Sequence, residues 1–296
     1  MIRRRHAALS LVALVTVSLP GCVLARPARA VIAPPPASLD AEPVAFQSAS
    51  GSLIRGWLAR GRAGGGAVLL LHGVGANRTS MLGRARFLHA AGYTVLAPDF
   101  QAHGESPGEH ITFGALESLD AAAAMAFLRT AVPVERVGVI GVSMGGAAAV
   151  LGPDPLATDA LVLESVYPTI RQATKNRLAT WFGPFRAVGR LFAPIVISIV
   201  STEIGVSEKE LEPIARVGRV HAPILIASGT DDPYTPLAEA ESLYAHAAPP
   251  KMFWPVSGAR HEDLYEFAPA EYERRVGAFL AEHLRRASHD ASYPGR

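Results

Sequence analysis

Six consecutive residues constrain this chain more than any others: Gly141-Val142-Ser143-Met144-Gly145-Gly146. They follow the apolar run Val137-Gly138-Val139-Ile140 and precede Ala147-Ala148-Ala149-Val150-Leu151. That pattern predicts a short buried strand, a turn crowded with small residues, and a helix with a small face. Gly-x-Ser-x-Gly in this context is a nucleophile elbow, a strained strand-to-helix turn that exposes the serine hydroxyl. Glycine is needed on either side because strand and helix backbone approach too closely there for a Cβ. The serine then lies at a helix N-terminus, where free amides and the helix dipole favour developing negative charge. A chain with 27 glycines produces the bare motif by chance, as a glycine-rich turn in any α/β protein. The flanking strand and helix are what lift it above that.

The rest of the chain alternates in the same manner. Residues 44–47 and 53–59 read as two strands joined by Ser50-Gly51-Ser52. Strands are further expected at 67–71, 93–97, 137–140, 160–163, 224–227 and 251–256, and helices at 81–91, 113–130, 237–247 and 271–285. Such alternation implies an α/β fold with eight strands, mostly parallel, helices on both faces, and the first pair antiparallel. At 296 residues and 49% hydrophobic, the chain can bury one large core. Gly64-Gly65-Gly66 precedes a strand and so is no phosphate loop. An insertion at about 167–221 breaks the rhythm. It carries Trp181-Phe182 and an apolar run at 191–200, with Pro184 and Pro194 expected to divide it into short helices.

A net charge of +2 and no internal basic block give no support for nucleic-acid binding. Arg3-Arg4-Arg5 followed by the uncharged run 7–19 reads as a signal peptide over residues 1–21, too short for a permanent spanning helix. Cys22, the only cysteine, stands where a bacterial lipobox carries its lipidated residue, which this stretch resembles. That implies a membrane-anchored lipoprotein. Cleavage after Ala28-Arg29-Ala30, giving a soluble exported protein, is the competing reading. Residues 22–43, rich in Pro and Ala, read as a tether, 44–285 as the domain, and 286–296 as a frayed tail.

A serine needs a base, and the base needs an orienting acid. Downstream of Ser143, the strand at 224–227 leads into Asp231-Asp232-Pro233-Tyr234-Thr235, and the last strand leads into Ser257-Gly258-Ala259-Arg260-His261. Serine, acid and histidine thus follow in chain order, each on a loop after a strand. Asp232 is the preferred acid. Asp231 beside it reads as a helix cap, and Glu164 as a structural carboxylate at a sheet edge. His72, His103 and His110 precede the elbow, and His246 and His283 fall on expected helices. An oxyanion hole requires two backbone N–H groups. Met144 supplies one and Val74, in Leu71-His72-Gly73-Val74-Gly75, the other. A metal role for His72 lacks companion ligands at suitable spacing.

Leu71-His72-Gly73, the run 92–99, His103-Gly104-Glu105-Ser106 and the elbow together resemble the α/β-hydrolase superfamily, near its lysophospholipase-like and dienelactone-hydrolase-like serine hydrolases. The resemblance covers roughly residues 44–285, apart from the insertion. It implies an α/β-hydrolase fold with a helical cap, Ser143, Asp232 and His261 as triad, and Val74 and Met144 amides as oxyanion donors. Asp99 and His103 then belong to a structural loop at the active-site edge. The expected activity is cleavage of carboxylic esters with apolar acyl groups, with no cofactor or metal required. Two alternatives stay open: a serine peptidase of prolyl-aminopeptidase type, using Glu203, Glu208, Glu210 or Glu212 to hold a free amine, and a non-catalytic envelope binding protein. Transfer to an alcohol in place of water is equally compatible with the residues. For the N-terminus, Cys22→Ser is expected to release the protein from membranes or leave it unprocessed, read by fractionation. A mature form beginning at Val31 would instead establish the downstream cleavage.

Overall fold

The computed structural model describes residues 25–285. The expected signal peptide 1–21, Cys22 and the tail 286–296 lie outside the described residues. The first element, β1 (Ala28–Arg29), lies inside the stretch expected as a tether. β2 (Ala41–Gln47) and β3 (Leu53–Ala59) form the anticipated hairpin, with β2 starting three residues earlier than its alternation indicated. β4 (Ala67–Leu71) is buried at every position, as an all-apolar central strand should be. Then come α1 (Leu82–Ala90), β5 (Thr94–Pro98), β6 (His103–Gly104) and α2 (Ala115–Ala131). β7 (Val137–Val142), α3 (Met144–Val150) and β8 (Ala160–Glu164) surround the elbow. The cap helices α4 (Ile170–Trp181) and α5 (Arg186–Ile204) follow. β9 (Ile224–Gly229), α6 (Leu237–His246), β10 (Lys251–Val256), α7 (Leu264–Phe267) and α8 (Pro269–Leu284) complete the order.

The main sheet has eight strands in the order β10-β9-β8-β7-β4-β5-β3-β2. β3 runs antiparallel to both neighbours and the remaining pairs are parallel. The chain leaves β4 toward β5 on one side and returns to β7 on the other. The order therefore reverses between β4 and β7, and ligands of open α/β sheets bind at such a crevice beyond the strands' carboxyl ends. Alternate side chains of each strand feed two cores. Leu69 and Leu71 pack with α2, α3 and α6, while Val68 and Leu70 pack with α1, α7 and α8.

β1 pairs in parallel with β6 as a separate two-stranded sheet. Ala28 N–H donates to Ala102 O (2.7 Å), Ala30 N–H to Gly104 O (2.9 Å), and Ile111 N–H to Ala25 O (2.8 Å). Ala25 is fully buried. The described part of the expected tether is thus docked onto the domain over Ala25 to Ala30.

The cap is a helical hairpin whose turn, Gly183–Phe185, contains Pro184 as anticipated. Pro194 does not break it: the residue lies inside α5, which continues through it. Proline removes the hydrogen bond to Arg190 O, but both residues are exposed, so water can serve that carbonyl in its place. Gly189 lets the helices close, since a Cβ there would lie 2.6 Å from Leu178 O. Leu178, Ala193, Val196 and Val200 form the cap's own small core.

A buried ion cluster fastens β8 to the chain after β10. Arg84 Nη2 lies 2.6 Å from Glu164 Oε2, and Arg84 Nη1 lies 2.8 Å from Asp263 Oδ2. Tyr272 donates its hydroxyl to Glu164 Oε1. Burial alone would lower the Arg84 pKa, but Glu164, with Asp263 and Tyr272 behind it, drives it well above the ordinary value. Removing one partner strands a buried charge. Glu164→Leu should therefore cost about 3–5 kcal/mol in urea unfolding, and Arg84→Met added to it should recover much of that loss.

Candidate active site

Ser143 sits between β7 and α3 at φ 50°, ψ −114°, a conformation costly for any residue with a side chain. The surroundings hold it there. Ser143 N–H donates to Glu164 O (2.7 Å), and Ser143 O accepts the N–H of Ala147 (3.0 Å). The flanking glycines are sterically required. A Cβ on Gly141 would fall 2.5 Å from Gly146 Cα, and one on Gly145 would fall 2.3 Å from Leu71 O.

Asp232 follows β9 and is almost fully buried. Its Oδ2 lies 2.7 Å from His261 Nδ1, beyond the end of β10. Three further donors hold the carboxylate: Tyr234 N–H (2.8 Å), Thr235 N–H (2.9 Å) and the Thr235 hydroxyl (2.5 Å). Burial pushes its pKa up, but the hydrogen bond and charge of His261, with the two hydrogen bonds from Thr235, outweigh it and hold the group below the usual carboxylate value. Bonded this way, His261 Nδ1 carries the proton and Nε2 is left as the basic nitrogen. The edge of the Tyr234 ring meets the imidazole at 5.4 Å and 87°. The rival acids are elsewhere. Asp231 accepts the Thr230 hydroxyl at the surface, and Glu164 is committed to Arg84 and Tyr272. His246 and His283 lie on α6 and α8 as anticipated.

The loop after β4 brings Val74 to the cavity that Ser143, Met144 and His261 also line. Met144 opens α3, so its N–H has no carbonyl one turn upstream. Two buried histidines shape the Val74 loop. His72 donates from Nδ1 to Gly73 O (2.8 Å) and accepts Phe100 N–H at Nε2 (3.1 Å). With both nitrogens taken, it has no lone pair for a metal. Burial first, and then the neighbouring His103, lower its pKa to about 3, so the ring is neutral. His103 accepts Gly75 N–H at Nε2 (3.1 Å) and donates from Nδ1 to Gln101 O (2.9 Å). Asp99 accepts Arg78 N–H (2.7 Å) and Glu105 N–H (2.9 Å) and pairs with the Arg78 guanidinium. Asp99 and His103 thus have the structural role expected of them. Among the described residues no cluster of three or more His, Cys, Asp or Glu could hold a metal.

The cavity encloses about 850 Å³ counting its open mouth. Trp181, Val196, Ile197 and Val200 of the cap close it from above. Ile195, by contrast, is exposed on the far side of α5 and does not line it. Sequence reading missed Thr235 and Tyr234, which secure Asp232, and Arg177, whose guanidinium lies 4.9 Å over the Tyr234 ring. The Asp-x-x-Thr spacing at 232–235 was the available signal, because Asp side chains accept from backbone N–H groups two and three residues on.

Comparison with known proteins agrees with this arrangement. The family described as serine aminopeptidase, S33 (Hydrolase_4), matches residues 64–201. Rv2307c of Mycobacterium tuberculosis (strain H37Rv), itself uncharacterized, is 29% identical over 224 residues, 74% of this chain and 72% of that protein. YqkD of Bacillus subtilis (strain 168), also uncharacterized, is 24% identical over 217 residues, covering 72% and 70%. Among solved structures, the Pyrococcus furiosus esterase Pf2001 superposes with a TM-score of 0.73 at 25% identity, covering 88% of this chain and 98% of its own. An esterase from Exiguobacterium antarcticum, at 14% identity and TM-score 0.59, covers 81% and 99% and shares the fold. With its eight-stranded sheet, elbow and cap, the chain is a hydrolase belonging to the α/β-hydrolase superfamily.

Proposed function

We propose that the protein cleaves carboxylic esters with apolar acyl groups through an acyl-enzyme on Ser143. The observation that carries this reading is the Asp232–His261 hydrogen bond at the rim of a cavity shared with Ser143, Val74 and Met144. His261 Nε2 takes the hydroxyl proton as Oγ attacks the carbonyl, and later returns it to the leaving alcohol. Asp232 fixes the imidazole tautomer and stabilises the imidazolium. The Val74 and Met144 amides receive the charged oxygen of the tetrahedral intermediate. Water, activated in turn by His261, then releases the acid.

The S33 match makes an aminopeptidase the second reading, and the cavity's chemistry speaks against it. A free α-ammonium needs a carboxylate, yet among the described residues no Asp or Glu lines the cavity, and its one Arg or Lys is Arg177. Glu208 pairs with Arg171, and Glu210 accepts Ser207 N–H, so both have other work. Nitrophenyl esters should be turned over and aminoacyl nitroanilides should not. The reverse preference would favour the peptidase.

Ser143→Ala should abolish both ester turnover and labelling by a fluorophosphonate probe, with a kcat loss of about 10⁶-fold. Asp232→Asn should cost about 10⁴-fold by disturbing the tautomer, while Asp231→Asn changes kcat by less than about twofold. Absence of labelling in the wild type would favour the non-catalytic reading. For the acyl group, kcat/KM should rise about fourfold per methylene from acetyl to hexanoyl esters, since each buried CH₂ contributes about 0.8 kcal/mol. Ile197→Trp should shorten the preferred chain, while Ile195→Trp, on the outer face, should leave the profile unchanged.

A further inference from the structure

The outer surface of the cap has no role in the chemistry proposed above, and its composition is unusual. Leu191 is 76% exposed, Phe185 69% and Trp181 50%, and Phe182, Val188 and Ile195 are exposed beside them. At about 100° per residue, α5 divides into three sectors. Gly189, Ala193, Val196 and Val200 face inward. Ala187, Val188, Leu191, Pro194 and Ile195 form an outward apolar strip, with Arg186 and Arg190 along one edge. The helical stretch Gly183–Ile204 has a mean hydropathy of 1.6 over its most apolar window, of which only 28% is buried.

Charge names the partner. From residue 170 to 202 there are five basic residues, Arg171, Lys175, Arg177, Arg186 and Arg190, and no acidic one. Arg171 is paired with Glu208, and Arg177 stacks on Tyr234. Arg186 and Arg190 are exposed and have no ion-pair partner among the described residues. A two-fold contact with a second copy would set this cationic rim against itself, because an isologous interface pairs one patch with the same patch. An apolar strip with an aromatic tip and a basic edge is the composition of a segment lying in a lipid interface. We propose that the cap docks on the surface of an anionic phospholipid membrane, with α5 along the bilayer plane and Trp181, Phe182 and Phe185 buried at the acyl boundary. Trp181 also lines the cavity, so docking sets the cavity mouth against the lipid. This surface is independent of which bond the site cleaves.

The tryptophans supply a local readout. Of three in the chain, Trp57 and Trp254 are buried, and Trp181 alone is exposed. The full-length protein is titrated with vesicles of phosphatidylglycerol and phosphatidylcholine, with and without brominated acyl chains. The emission of Trp181 should shift to the blue and be quenched by the brominated lipid, whatever the N-terminus does. Arg186→Gln with Arg190→Gln should raise the lipid concentration needed by about thirtyfold, and high salt should do likewise. Leu191→Ser with Ile195→Ser should abolish the shift while leaving turnover of a soluble acetyl ester unchanged, since neither residue lines the cavity. Unchanged Trp181 emission on anionic vesicles would overturn the proposal. A dimer in size-exclusion chromatography that the Leu191→Ser, Ile195→Ser pair dissolves would also overturn it, in favour of a second copy.

Discussion

Strand β7 and helix α3 meet where no side chain fits, and the geometry at Ser143 depends on that crossing. A Cβ on Gly145 would lie within the carbonyl shell of β4, and one on Gly141 would enter α3. The close approach forces Ser143 into its positive-φ conformation, which persists only because neighbouring strands over-determine it. One of those constraints is the carbonyl of Glu164, which accepts the Ser143 N–H. The Glu164 side chain is held by Arg84, and Arg84 also holds Asp263, two residues past His261. A single buried cation therefore ties the strand beside Ser143 to the loop that carries His261.

Three histidines near the site illustrate how surroundings assign chemistry. His72 and His103 are buried, with both ring nitrogens engaged, and burial lowers the pKa of each. They brace the Val74 loop as neutral, fixed tautomers, and a proton on either would cost a loop hydrogen bond. His261 is partly exposed and faces a buried carboxylate through one nitrogen only. Residue type is shared by all three; only the last has a nitrogen free toward the cavity.

The features legible in the sequence are those with local periodicity or a short motif: the apolar strands, the elbow, and the loop positions of Asp232 and His261. Others depend on partners far along the chain. Glu164 reads as a structural carboxylate, but the partner that makes it one, Arg84, lies 80 residues earlier. Pro194 reads as a helix breaker because the rule is local, whereas the outcome turns on whether the orphaned carbonyl reaches solvent. Ile195 and Ile197 are alike in sequence, and the phase of α5 alone puts one outside and the other over the cavity. β1 is a two-residue strand made by backbone bonds, too short to have a side-chain pattern at all.

That short strand has a mechanical consequence. β1 is hydrogen-bonded to the segment containing His103, and His103 accepts the N–H of Gly75 next to Val74. Tension applied to the chain upstream of Ala25 would reach the Val74 loop through two short links, with no long flexible spacer between them. Trimming the chain after Ala30 would strip Ala102 O, Gly104 O and Ile111 N–H of their backbone partners at once. A chain beginning after Ala30 and one beginning upstream of Ala25 would differ in how stiffly the Val74 amide is held, through the same three hydrogen bonds.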